Sequence, residues 1–212
     1  MEATTRANGD RTKRKILDAA EVLFAENGYD AVSLRHITDR AGVTLALASY
    51  HFRTKERLFE AVVARRADIL GELRLARLAA LAPAAGPRAI LDAFMQPLFE
   101  QAAGKDPGWS AYLRLLPRLG EDDRWLDILD TYFDAVVCAF LEALRLCCST
   151  ADPDRLARAF LMAINLMLST ASRHHRLDRL TEGRATAEDL TTAYAMLLDF
   201  ATAGLSAQVT RR

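Results

Sequence analysis

The chain is predicted to be all-α, with an N-terminal three-helix unit built on a helix-turn-helix and a larger C-terminal helical domain. Three observations predict it. Apolar residues recur at three- and four-residue spacing from Arg11 almost to the C-terminus, and no segment alternates strictly as a half-buried strand would. The interruptions of that rhythm fall on glycine, proline or small polar residues. The stretch Ser33–Phe52 reads as two short helices joined by a turn at Gly42. At 212 residues the chain is long enough to bury a core in each of two domains.

Residues 1–10 are small and polar and are expected to form a disordered arm. The first helix starts at Arg11, and its Ile16, Ala19, Ala20, Leu23 and Phe24 build one apolar stripe that ends at Gly28-Tyr29. Ser33 is suited to cap the second helix, because its hydroxyl can accept from an unsatisfied N–H of the first turn. Leu34, Ile37 and Ala41 then share a face, Gly42 supplies the left-handed turn, and Thr44 caps the third helix. Val43, Ala48 and Phe52 are placed to plug that helix into the core. Leu45, Ala46, Leu47, Ser49, Tyr50 and His51 are left facing outward, along the side that a major groove would meet.

Thr54-Lys55-Glu56 opens a helix that runs unbroken to Leu81 and serves as the connector. Pro83–Pro87 stops it, and helices follow over 88–103, 109–119, 122–149, 153–175 and 187–206, for nine in all. The expected division is a helix-turn-helix domain over 11–55, a second domain over 56–206 and a tail over 207–212.

Lys plus Arg equals Asp plus Glu at 28 each, so any footprint for a polyanion must be local. The acid-free run Arg11, Lys13, Arg14 and Lys15, together with Arg35, Arg53 and Lys55, is the candidate. Three cysteines, two of them adjacent, do not form a structural disulfide framework and point to a reducing compartment. No long apolar stretch follows the basic N-terminal residues and no apolar run reaches membrane-spanning length. A cytoplasmic protein without a membrane partner is expected.

Enzyme chemistry finds little footing. His174 and His175 are adjacent and diverge by about 100° on a helix, unlike an i, i+4 metal-binding pair. Cys147-Cys148 fits neither a zinc spacing nor a C-x-x-C motif, and no glycine-rich phosphate loop follows a strand. No metal and no cofactor are expected.

The segment Arg11–Phe52 and the helix after it resemble the DNA-binding domain of the TetR family of bacterial transcriptional repressors. The resemblance rests on Ile16–Tyr29, with its Gly-Tyr exit, on Ser33 and Ile37, and on Ala41-Gly42-Val43, Tyr50-His51-Phe52 and Lys55-Glu56, in order and ungapped. It implies that Ser33, Thr44, Tyr50, His51 and Lys55 contact phosphates, and that Arg35, Leu45, Ala46 and Leu47 face base edges. Of these four, Arg35 alone can pair bidentately with guanine, while the apolar three suit thymine methyls. Ser49 stands where many members carry a second aromatic, as in a subgroup ending its recognition helix with Ser/Asn-Tyr-His-Phe.

Near-heptad stripes in the last two helices, Leu156, Phe160, Ala163, Met167 and Ala171, then Leu190, Tyr194, Leu197, Ala201 and Leu205, admit two readings. They are buried within one chain, or they form a four-helix bundle from two chains. The resemblance implies the second, which makes Leu156, Phe160, Ala163, Met167, Leu190, Tyr194, Leu197 and Ala201 the candidate dimer interface.

The resemblance also implies that a small molecule entering the second domain releases DNA. Phe94, Leu98, Trp109, Tyr112, Leu113, Leu116, Phe133 and Val137 are the candidate pocket, and such walls suit an apolar effector. Asn165, the one amide in the apolar stretch Ala159–Leu168, is expected to hydrogen-bond either to that ligand or across the dimer. The whole reading is a homodimeric repressor on a palindromic double-stranded DNA operator. Its rival is a helical small-molecule-binding or interaction protein without specific DNA binding.

Overall fold

The computed structural model describes residues 2–104 and 106–209, and among these it is helical without a strand. The helices are α1 (Glu2–Ala31), α2 (Leu34–Ala41), α3 (Leu45–Phe52), α4 (Lys55–Ala79), α5 (Pro87–Ala103), α6 (Pro107–Leu119), α7 (Leu126–Leu129), α8 (Ala135–Cys147), α9 (Pro153–Ala171), α10 (Arg176–Leu180) and α11 (Leu190–Val209). A 3-10 turn, Asp123–Trp125, precedes α7, and a π turn, Asp130–Asp134, joins α7 to α8. Taking α7, the π turn and α8 as one run and setting the five-residue α10 aside, nine helices remain among the described residues, as expected.

Three boundaries differ from expectation. Where the sequence predicts a disordered arm, α1 reaches back to Glu2. Glu, Ala and Arg are good helix formers, and the cost of Gly9, about 1 kcal/mol relative to Ala, is too small to stop a helix already nucleated. Residues 207–209 of the expected tail continue α11, and residues 210–212 lie outside the described residues. The chain also divides into two compact units at places other than 55/56: one holds the residues up to Ala67 together with Asp106–Leu115, the other Asp68–Lys105 together with Leu116 onward.

The reason for the displaced boundary lies in α4. Leu58, Phe59, Val62 and Val63 are fully buried and close the first unit's core, where Phe59 packs edge-on to Phe24 with ring centroids 5.1 Å apart. Ile16, Ala20, Phe24 and Ile37 complete that core. Burial of each larger side chain contributes roughly 1.5–3 kcal/mol, so the first two turns of α4 are indispensable to it. Gly28, at φ 78°, kinks the end of α1 where a residue bearing Cβ would be strained.

The second unit packs α5, α8, α9 and α11 around Phe94. Its ring meets Phe140 and Phe160 edge-on at 5.0 and 5.1 Å. The buried Arg74 guanidinium lies over the same ring at 4.0 Å, and its Nε donates to the Phe94 carbonyl at 2.8 Å. No helix among the described residues is long and apolar enough to cross a membrane.

Candidate nucleic-acid interface

The turn that presents α3 is built by three local devices that the sequence announced. Ser33 Oγ accepts from the His36 N–H at 3.2 Å. Gly42, at φ 64°, ends α2 with its N–H directed at the Asp39 and Thr38 carbonyls, and Val43 N–H donates to Thr38 O at 3.1 Å. Thr44 Oγ1 then accepts from the Leu47 N–H at 3.4 Å. Ala48 and Phe52 are buried beneath, and Val43 is only half-buried.

What this leaves outward is a short apolar and aromatic edge. Leu45, Ala46, Leu47, Ser49 and Tyr50 are exposed, Tyr50 by 80%, which removes it from the packing of the domain. Its ring meets His51 edge-on at 5.2 Å. Arg35 projects from α2, also exposed. Arg11 and Lys15 of α1 line one groove of about 570 Å³ together with Thr44 and Leu47 at the start of α3. Arg11 and Lys15 of the basic run and the N-terminus of α3 therefore share a concave surface, which combines positive side chains with helix-terminal N–H groups, both suited to anions.

Lys55 is tied more tightly than expected. Its ammonium donates to the Tyr29 carbonyl at 3.1 Å and sits 4.0 Å above the Tyr29 ring. The Tyr29 hydroxyl in turn donates to Glu56 Oε1 at 2.6 Å and holds that carboxyl below the usual glutamate range. An ammonium has three donors, so Lys55 can keep this anchor and still meet a phosphate.

The same unit holds an ionic cluster around the buried Glu21 and Arg66 that the sequence does not announce. Glu21 of α1 accepts from Arg66 Nε at 2.5 Å and Nη2 at 3.0 Å, and from Arg65 Nη2 at 2.5 Å. Arg65 also reaches Asp18 at 2.7 Å, and Arg66 reaches Asp106 at 2.8 Å. The Asp106 carboxylate accepts from the Gly108 N–H at 2.9 Å, and Arg66 lies 4.7 Å from the Trp109 ring centre. The available signal was Glu21 itself, an acid within the apolar stripe of α1. Its partners are over forty residues away, beyond the reach of any periodicity.

The candidate pocket residues divide between the units. Trp109, Tyr112 and Leu113 belong to the first, and the Tyr112 hydroxyl donates to the Val63 carbonyl at 3.2 Å. Phe94, Leu98, Leu116, Phe133 and Val137 belong to the second, where Phe94, Leu98 and Leu116 are buried and Phe133 and Val137 half-buried. Asn165 is exposed on α9, so it is not the buried amide that the apolar stretch suggested.

The candidate dimer residues are placed mostly inside one chain. Leu156, Phe160, Ala163 and Met167 of α9, and Leu197 and Ala201 of α11, are buried within a single chain, and Leu190 and Tyr194 are half-buried. Tyr194 stacks at 4.9 Å on Phe99 and its hydroxyl donates to Asp92. These stripes are largely taken up by the packing of α9 and α11 with α5 within the one chain. The apolar residues left uncovered are Leu161, Met162 and Leu166 on α9, with Met196 and Phe200 on α11, exposed by 40–67%. Asn165 lies in that uncovered α9 stripe.

Comparison with known proteins matches both parts of the chain. A family model described as "Bacterial regulatory proteins, tetR family" covers residues 16–62, and one described as "Tetracyclin repressor-like, C-terminal domain" covers residues 92–204. The HTH-type transcriptional regulator BetI of Rhizobium meliloti is 28% identical over 145 residues, 68% of this chain and 70% of its own length. The HTH-type transcriptional repressor KstR2 of Rhodococcus jostii is 29% identical over 66% of this chain and 67% of its own. A solved structure of a transcriptional regulator from Saccharomonospora viridis in complex with choline is similar in fold, with a TM-score of 0.58 at 20% identity, over 90% of this chain and 95% of that one.

Proposed function

The chain belongs to the TetR family of bacterial transcriptional regulators, and from that premise we propose that it is a homodimeric repressor, released from a palindromic operator by an apolar small molecule. The observation that carries the DNA half of this reading is the groove in which Arg11 and Lys15 meet the start of α3. In and around it Ser33, Thr44, Tyr50, His51 and Lys55 hold phosphates, which fix register, Arg35, Leu45, Ala46 and Leu47 read base edges, and Ser49 lies in the same DNA-facing set. With one arginine among the readers, recognition leans on thymine methyls, a single guanine and DNA shape. Such a regulator works in the cytoplasm, where the bacterial chromosome is.

The uncovered stripe of Leu161, Met162, Leu166, Met196 and Phe200 supports the dimer, since exposed apolar patches of this kind mark association surfaces. Asn165 then pairs across the two chains rather than serving the ligand. For the effector, the apolar candidate residues Phe94, Leu98, Leu116, Phe133 and Val137 of the second unit favour an uncharged apolar compound. The Saccharomonospora neighbour holds choline, a cation. Here a face of Phe94 is already taken by the Arg74 guanidinium, which opposes a second positive charge beside it.

Selection of bound fragments from random DNA at physiological salt tests the proposal. The expected product is an approximate palindrome with half-site centres about one helical turn, or a little more, apart. Fragments without shared sequence would leave the rival reading, a helical binding protein without an operator.

A further inference from the structure

The vicinal cysteines at the end of α8 play no part in the function proposed above, yet their geometry is specific. Cys147 and Cys148 bring their sulfurs to 3.5 Å, and the Cys147 thiol also donates to the Leu144 carbonyl at 3.4 Å. Cys147 is exposed and Cys148 is buried beside it. The Cys148 N–H is held by Leu144 O at 2.9 Å, and its carbonyl accepts from the Ala151 N–H at 2.8 Å, so the backbone beneath both sulfurs is fixed.

Two common fates of a cysteine pair are disfavoured by this geometry. Adjacent Cα atoms across a trans peptide stand about 3.8 Å apart, short of the roughly 4.4–6.8 Å that disulfides span. Oxidation to a bridge therefore requires the fixed backbone to distort. A zinc site needs three or four ligands, and no cluster of three His, Cys, Asp or Glu side chains is placed to hold a metal ion among the described residues.

A centre that asks for two sulfurs and brings its own third substituent remains. With a bond of about 2.3 Å, as for zinc–thiolate, a 3.5 Å separation subtends about 100° at the bound atom. That is far from linear, narrower than tetrahedral, and close to the pyramidal angle of a trivalent group 15 element. We propose that Cys147 and Cys148 form a chelating dithiol site for trivalent organoarsenicals.

The reaction is a condensation without redox change. Two As–S bonds form and two As–O bonds break in R–As(OH)2, and each thiol proton leaves with a hydroxide as water. It draws on thiols rather than thiolates, which matches the state of Cys147. Burial, and then the contact with Cys148, push the Cys147 thiol up to about 11, so this sulfur keeps its proton near neutral pH and reacts slowly with simple alkylating agents. Cys138, exposed nine residues earlier on α8, lacks a neighbouring thiol and provides the control.

Phenylarsine oxide added to the full-length protein, followed by intact mass, is the test. The expected result is one arsenical per chain that survives excess glutathione and is removed by dithiothreitol, in the wild type and in Cys138→Ser alike. Cys147→Ser, at the exposed position, should lose the glutathione-resistant adduct, and Cys148→Ala should do the same with its helical circular dichroism retained. Absence of the adduct in folded wild-type protein, or its undiminished retention in Cys147→Ser, would overturn the proposal.

Discussion

Glu21 and Arg66 form a bidentate, buried pair, and Gly108 is pressed so close to it that a Cβ there would stand 1.9 Å from Arg66 Nη2 and 2.7 Å from Glu21 Oε2. Breaking one side of such a pair leaves an uncompensated charge out of water, which typically costs about 3–5 kcal/mol. Arg65 and Asp106 share the load here, so Glu21→Gln should lose about 3 kcal/mol in urea denaturation, at the low end of that range. Gly108→Ala should also destabilise, by displacing Arg66 rather than by removing charge. A Glu21→Gln protein within about 0.5 kcal/mol of wild type, the level of an ordinary surface change, would show that the cluster contributes little.

Asp106 gives the same cluster a pH signature. The hydrogen bond from Arg66, then the Gly108 N–H, holds its carboxyl below the usual aspartate range. A group whose folded pKa is depressed contributes stability that is fully present above its unfolded pKa, about 3.9, and is lost as pH falls through the folded value. Asp106→Asn should therefore be less stable than wild type at pH 7, and the gap should close below about pH 4. The carboxylate is half-exposed, so the gap should also shrink in high salt. Parallel pH profiles from thermal melts of the two proteins would contradict this assignment.

The proposed dimer surface shows where a sequence stops being informative. Both α9 and α11 carry two apolar stripes, and heptad spacing alone ranks the Met167 stripe first. Burial separates them: Met167 is 1% exposed, Met196 and Phe200 67% each. Phe200→Glu should yield folded monomers by sedimentation, whereas Met167→Glu should unfold the protomer, because it places a charge in a filled core. Dimeric Phe200→Glu protein would return the interface to the seam read from the sequence.

Local features were legible for a different reason. Ser33, Gly42 and Thr44 each act within four residues of themselves, so their roles follow from residue type and position. Glu21, Arg66 and Asp106 act across forty residues and more, and nothing in their own neighbourhoods specifies the partner. The displaced domain boundary has the same origin, since α4 looks like a uniform connector until Phe59 is seen against Phe24.

Sequence choice and bare affinity should separate under mutation at the DNA surface. Lys55→Ala removes the phosphate contact proposed for it, so binding should weaken on every sequence and the slope of log affinity against log salt should fall by about one unit. Because Lys55 also anchors the Tyr29 carbonyl, the same variant should lose some thermal stability, a cost not shared by the exposed Arg35. Arg35→Ala should leave stability unchanged and relax preference at one guanine per half-site, worth about 1–3 kcal/mol of discrimination. Selections on both variants, with melting curves alongside, decide the matter. If Arg35→Ala keeps the wild-type preference while Lys55→Ala alters it, the base-reading role lies on the other side of the groove.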